Sequence, residues 1–249
     1  GFDLFHTRAA CEHAAPAMGG AELLSLEHIS FGYVRGQDVL RDVSLSVRAG
    51  DRIALLGHNG CGKSTLAKII CGLLRERGGR LSVGGEFLAA RKRYTAVSYV
   101  MQNVDFQIFG SSLYNDLLLG NEEAEDIDAR IRTVLAQFRL LPLIDEHPMR
   151  LSMGQKQRLV IAAACLLHKR IGIFDEPTSG LDYANMRTVC MLIDEFAGAE
   201  SAAIIITHDY EFIMNSCNRV ILLEDGRIAE DFALRDAAVL ERLFRERIR

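Results

Sequence analysis

The stretch from Gly57 to Thr65, GHNGCGKST, restricts what this chain can fold into more than any other part of it. Glycine loses more conformational freedom on folding than other residues and offers no side chain to pack, so such a cluster serves what its backbone can reach. The cluster follows the apolar run RIALL and opens a segment with Leu66, Ala67, Ile69, Ile70, Leu73 and Leu74 at helical spacing. A buried strand, a glycine loop and a helix start in that order turn backbone N–H groups inward and add the helix's positive end, a nest suited to a di- or triphosphate. Gly57, Gly62, Lys63 and Ser64 occupy the fixed positions of the pattern G-x-x-x-x-G-K-[ST], and Asn59, Gly60 and Thr65 complete the candidate ATP-binding loop. Lys63 is spaced to reach the β- and γ-phosphates, and Ser64 to offer its hydroxyl to a magnesium ion. The plainer alternative is a glycine-rich turn with a solvated lysine.

The rest of the chain fits an α/β layer. IGIFD and AAIIIT are further short, apolar runs, each beside a helix-like segment, as expected of parallel strands buried on both faces. ELLSLEHISFGY reads as a strand with Leu24, Leu26 and His28 on one face, and DVLRDVSLSVRAG as a second, with Val43, Leu45 and Val47 alternating with polar residues. From about 103 to 169 the pattern is mostly helical, a helical insert on the α/β core. The expected organisation is a loosely ordered tail over 1–20, the main domain over 21–232 and a C-terminal helix over 233–249. That last helix carries Leu240, Phe244 and Ile248 on one stripe and is expected to pack on its own subunit or on a dimer partner.

Composition narrows the function. Formal net charge is -4 and basic residues are scattered among acids, so no nucleic-acid footprint is expected. No apolar run approaches the roughly 18 residues that a membrane-spanning helix needs. The first twenty residues lack the basic start and long apolar segment of a secretory signal. Cys11, Cys61, Cys71, Cys165, Cys190 and Cys217 lack paired spacing and mostly lie among apolar residues, so buried, reduced thiols are expected.

IGIFDEP ends an apolar strand in two carboxylates. Asp175, at the carboxyl end of the strand, can hold a magnesium ion's outer waters. Glu176, one residue on, points elsewhere and can orient an attacking water. Alone, the two acids would serve equally well as the strand's exit into solvent.

With these elements in place the sequence resembles an ABC-type ATPase, the nucleotide-binding subunit of ATP-binding-cassette systems. LSMGQKQRL, from Leu151 to Leu159, resembles the family's signature LSGGQ; SGLD resembles its D-loop at Asp182, ITHD its switch histidine at His208, and VMQN its Q-loop at Gln102. Tyr33 in FGYV resembles the aromatic that stacks on adenine. The resemblance implies a P-loop NTPase core with an antiparallel β part, and a helical subdomain between Q-loop and signature. It also implies ATP and Mg2+ as cofactors, with Ser64, Gln102 and Asp175 at the metal and Glu176, His208 and Gln102 in catalysis. Ser152, Gly154 and Gln155 would then face the ATP of a second ABC subunit in a head-to-tail homo- or heterodimer. Met153 departs from the pattern, which has glycine there, and narrows the backbone approach to the γ-phosphate.

After the Q-loop, QNVDFQIFGSSLYNDLLLG is similar to the corresponding segment of ATPase subunits of energy-coupling-factor and cobalt-type importers, although Val104 replaces a proline. That resemblance implies a peripheral subunit on the cytoplasmic face of the membrane, powering import of a vitamin or transition-metal ion. Phe106, Ile108, Phe109 and Leu113 would line a groove for a helix of a membrane partner, or else form subdomain core. A soluble ABC ATPase acting on ribosomes or DNA, and a weakly hydrolysing regulatory subunit, stand as alternatives.

Overall fold

Three runs almost free of polar residues make the centre of the sheet. In the computed structural model, which describes residues 20–235 and 237–247, they form β3 (Arg52–Leu56), β7 (Ile171–Asp175) and β8 (Ala202–Ile206), with β8 paired in parallel to both others. β6 (Val97–Val100) extends this sheet beyond β7, and β9 (Arg219–Glu224) beyond β3, both in parallel. β10 (Arg227–Ala233) closes the β9 edge antiparallel, giving the order β10-β9-β3-β8-β7-β6. Successive side chains of a strand point to opposite faces. Ile53 and Leu55 of β3 therefore join one core and Ala54 and Leu56 the other. A strand that feeds two cores has no solvent face, which is why these runs do not alternate.

The first core lies between this sheet, α1 (Lys63–Ile70) and a four-stranded antiparallel sheet of order β2-β1-β4-β5. That sheet consists of β1 (Glu22–Phe31), β2 (Leu40–Arg48), β4 (Gly78–Val83) and β5 (Glu86–Phe87). The second core packs against α2 (Leu113–Leu118), α3 (Ile127–Gln137) and α4 (Met153–Leu166), which follow β6, and then α5 (Tyr183–Phe196) and α6 (Tyr210–Ser216). Gly172 of β7 is fixed by this packing. A Cβ there would stand 2.5 Å from the ring of Phe196, which meets Phe174 edge-on with centroids 5.6 Å apart.

The structure corrects several expectations. His28 does not share the buried face of Leu24 and Leu26: β1 slips register against β2 between Leu26 and Ile29, His28 takes φ 55°, and Ile29 is buried instead. The exposed His28 ring pairs with Asp42 at 2.6 Å. α1 ends at Ile70, because the chain turns at Gly72, φ 87°, where a Cβ would lie 2.0 Å from the Ala90 carbonyl oxygen. Leu73 is consequently exposed. Leu113, the first residue of α2, is fully buried in the second core and lines no groove, whereas Phe106 and Phe109 are 70% and 75% exposed and Ile108 is half-buried.

The C-terminal helix α7 (Ala237–Glu246) buries Leu240 and Leu243 on its own subunit, and Phe244 meets Tyr210 edge-on at 5.5 Å. Ile248, Cys11 and the tail over 1–19 lie outside the described residues. The five described cysteines are free, and burial pushes their thiols up, to about 12 for Cys165 and Cys190. Among the described residues no helix is long and apolar enough to cross a membrane.

Candidate active site

The glycine loop joins β3 to α1 and is shaped by close approach on both sides. Gly57 has φ 144°, and a Cβ on it would lie 2.2 Å from the carbonyl oxygen of Leu223. Gly62, φ 112°, precedes α1 with no side-chain cap, so the helix's first N–H groups stay available to a ligand. Lys63 Nζ donates to the carbonyls of Gly57 (2.6 Å) and His58 (3.0 Å). An ammonium has three donors, so one remains for an incoming phosphate.

Facing the loop is a cleft of about 400 Å³. Gly57, Asn59, Gly60, Lys63 and Ser64 line it from the loop, Gln102 from beyond β6, Asp175 and Glu176 from the end of β7, and His208 from beyond β8. Four separate stretches of chain meet there because parallel strands end on the same side of the sheet. Thr65 and Tyr33 sit outside the lining. Their hydroxyl oxygens are 3.2 Å apart, and the exposed Tyr33 ring rests edge-on against Phe31.

The two carboxylates differ in environment. Asp175 is 6% exposed, and its Oδ2 accepts a 2.8 Å hydrogen bond from the Tyr99 hydroxyl. Glu176 adopts φ 49°, its N–H donates to the Ile206 carbonyl at 2.8 Å, and its Oε1 lies 2.8 Å from Nδ1 of the exposed His208. Burial pushes the Glu176 carboxyl above the usual carboxylate range, and contact with His208 acts in the opposite sense. The left-handed turn at Glu176 explains why adjacent acids serve different directions.

Sequence reasoning missed two residues here. Tyr99 is one, and burial together with Asp175 pushes its hydroxyl pKa strongly up. Gln107 is the other. Its side-chain Oε1 accepts from the Met101 N–H (2.6 Å) and its Nε2 donates to the Tyr99 carbonyl (2.7 Å), pairing with the outer edge of β6 as a strand would. A period-two reading of VSYV with the register of β6 on β7 would have placed Tyr99 on the face of Asp175.

The signature and D-loop residues do not line the cleft. Ser152 caps α4 and forms a capping box with Gln155: Ser152 Oγ accepts from the Gln155 N–H (3.3 Å), and Gln155 Oε1 from the Ser152 N–H (2.8 Å). Asp182 caps α5 by accepting from the Asn185 N–H at 2.8 Å. The two helix starts touch. Arg158 donates to Asn185 Oδ1 at 2.5 Å, and a Cβ on Gly154 would meet Leu181 at 3.3 Å and Asn185 at 3.6 Å. Lys156, buried on α4, donates to Asp105 at 2.7 Å. Met153, the departure from the signature pattern, is 53% exposed.

A family model described as ABC transporter matches residues 40–179, more than half of the chain. The chain belongs to the ABC transporter family. This ABC ATPase domain is 56% identical over 226 residues to a putative ABC transporter ATP-binding protein of Treponema denticola, covering 91% of the chain and 46% of that protein. A namesake from Synechocystis is 32% identical over 212 residues, covering 84% of the chain and 74% of that protein. Several of the curated relatives are longer proteins, of which the chain spans less than half. Among solved structures it is similar to cbiO1 from Clostridium perfringens, described as part of the ABC transporter complex cbiONQ. The TM-score is 0.79 and identity 26%, covering 91% of the chain and 96% of that one. The ATP-binding fold is thus that of the family.

Magnesium fits the cleft only together with a phosphate. Among the described residues no group of three His, Cys, Asp or Glu side chains could hold a metal ion alone. The cleft offers oxygen donors (Ser64, Gln102 and Asp175) beside Lys63, the sparse, hard donor set of a cation that arrives with its nucleotide. A larger groove of about 1000 Å³, between α3, the end of α5 and the turn after β4, contains none of these residues. Arg130 and Lys169 there are already bonded to the carbonyls of Leu166 and Tyr94.

Proposed function

We propose that this chain binds ATP with Mg2+ in the cleft and hydrolyses it as one half of a head-to-tail pair that energises a membrane importer of a small solute, of the vitamin or transition-metal class. In this reading Tyr33 stacks on adenine, while the loop from Gly57 to Thr65 cradles the phosphates with its N–H groups and Lys63. A bound metal would supply charge neutralisation at the phosphates. Ser64, Gln102 and, through water, Asp175 are the residues that would hold it. Glu176 accepts a proton from the attacking water, and His208, already bonded to Glu176, steadies the pair and the γ-phosphate.

One observation carries the reading: Glu176 and His208 form a bonded pair in the cleft that Lys63 also lines, while Ser152, Gly154 and Gln155 start a helix outside it. The natural recipient of those helix-start donors is nucleotide held by a second cassette. Closure on ATP and reopening after hydrolysis would then move the membrane partner. The helical stretch over 103–169 would move as a subdomain, and Phe106, Ile108 and Phe109 would meet the partner's cytoplasmic helix, on the cytoplasmic face of the membrane. The resemblance of cbiO1 supports the importer class.

With Glu176→Gln and Mg-ATP, sedimentation should show an ATP-dependent dimer. A monomer at every concentration would end this reading. Recovery from detergent should bring down an integral membrane protein, and salt-sensitive RNA or DNA binding would instead favour a soluble factor. Met153, exposed at the first turn of α4, favours the second reading, a weakly hydrolysing regulatory subunit. Absence of turnover by the unmodified chain with Mg-ATP would select it.

A further inference from the structure

We propose that Tyr99 is a positioning residue for hydrolysis: its hydroxyl holds the Asp175 carboxylate in one orientation, leaving Oδ1 for the hydrated metal of the nucleotide. A carboxylate's last torsion is broad and nearly two-fold, so packing alone leaves its two oxygens poorly distinguished. One donor fixed on Oδ2 removes that ambiguity. Asp175 lines the cleft, whereas Tyr99 does not, so the bond at 2.8 Å is made from the side away from the ligand.

The strands account for this contact. β6 pairs with β7 in parallel, with Tyr99 opposite Ile173 and Val100 opposite Phe174. Two residues beyond Ile173, on the same face, is Asp175. The Tyr99 ring is half-buried against the core on the α1 side. Its backbone is held from the other direction, since Gln107 bonds both the Tyr99 carbonyl and the Met101 N–H. The same strand delivers Gln102 three residues later. Tyr99 thus ties the segment bearing one proposed metal contact to the carboxylate bearing another. Supporting groups of this kind orient metal-binding side chains, and their loss typically costs about 10–100-fold in metal affinity or activity.

The inference rests on the reading that Asp175 holds the metal's water, and the test separates the two. In a Glu176→Gln background, where turnover is not the readout, Mn2+ binding to the ATP-loaded protein is followed by electron paramagnetic resonance. ATP binding without metal and the thermal midpoint are measured alongside. Tyr99→Phe keeps the ring and is expected to weaken Mn2+ binding about tenfold, with metal-free ATP affinity within about twofold, the scale of an uninvolved surface change. Asp175→Asn should weaken it at least as much, and Tyr99→Phe added to Asp175→Asn should cost nothing further. Unchanged Mn2+ affinity in Tyr99→Phe, with Asp175→Asn impaired, overturns the role of Tyr99 alone. Unchanged affinity in Asp175→Asn overturns the underlying reading and the inference with it. Additive losses in the double variant also overturn it, because Tyr99 would then act by a route other than Asp175.

Discussion

The cleft at the end of the central sheet and the paired starts of α4 and α5 carry equally specific motifs, yet the fold treats them differently. At the cleft, strand ends and the loop before α1 bring Lys63, Gln102, Asp175, Glu176 and His208 to one surface from distant parts of the chain. At the helix starts, Ser152, Gln155 and Asp182 are bonded to their own first turns, and a Cβ on Gly154 would meet Leu181 and Asn185. The first region is assembled from distant stretches of chain, whereas the second is bonded within its own first turns, with Ser152 and Asp182 exposed. A parallel sheet brings distant residues to one phosphate site, whereas these helix starts lie outside that cleft, and in the proposed function their donors meet nucleotide held by another cassette.

The sharpest way to break this contrast is Glu176→Gln. Phosphate release from Mg-ATP, followed colorimetrically, should fall about 10²–10⁴-fold, as on losing a general base, while nucleotide still binds. Turnover within a few-fold of the parent would place the base elsewhere. Next, Lys63→Met should weaken a fluorescent ATP analogue about 10–100-fold, the scale of a hydrogen bond to a charged group, with the far-ultraviolet spectrum unchanged. Normal affinity would show that Lys63 serves only its own loop.

Ser152→Ala probes the other region. Loss of the cap should cost about 1 kcal/mol, lowering the thermal midpoint by about 2–4 °C for a domain of this size. Affinity of the dilute monomer should stay level while turnover at high protein concentration drops. Equal loss in both would join the two regions into one site. The smallest effect is expected from Met153→Gly, which restores the family pattern at an exposed position. Association in the Glu176→Gln background should tighten about twofold, the usual size of a surface change, as measured by sedimentation, and a weaker dimer would show that Met153 contributes contact.

The sequence showed most clearly what depends on short range. The order strand, glycine loop, helix was readable because its parts are contiguous, and the buried strands because two-sided burial leaves an apolar run. His28 was misplaced because a bulge is set by the partner strand: Ser44 and Asp42 of β2 hold the His28 N–H and ring. Leu113 was ambiguous because one apolar residue at a helix start fits a core or a groove equally well. The end of α1 was legible in Gly72, a usual residue just past a helix terminus, but apolar periodicity outweighed it. Tyr99 was hidden because its meaning lies in pairing with a strand that arrives some seventy residues later.

Lys63 bonded to the carbonyls of Gly57 and His58 has a consequence for how ligand is met. A loop cross-braced by its own ammonium is held in one shape by bonds within the chain. Capture then loses little conformational entropy at the loop, and encounters can proceed without waiting for a rare open shape. In the proposed cycle, the waiting step would then fall on the meeting of two cassettes.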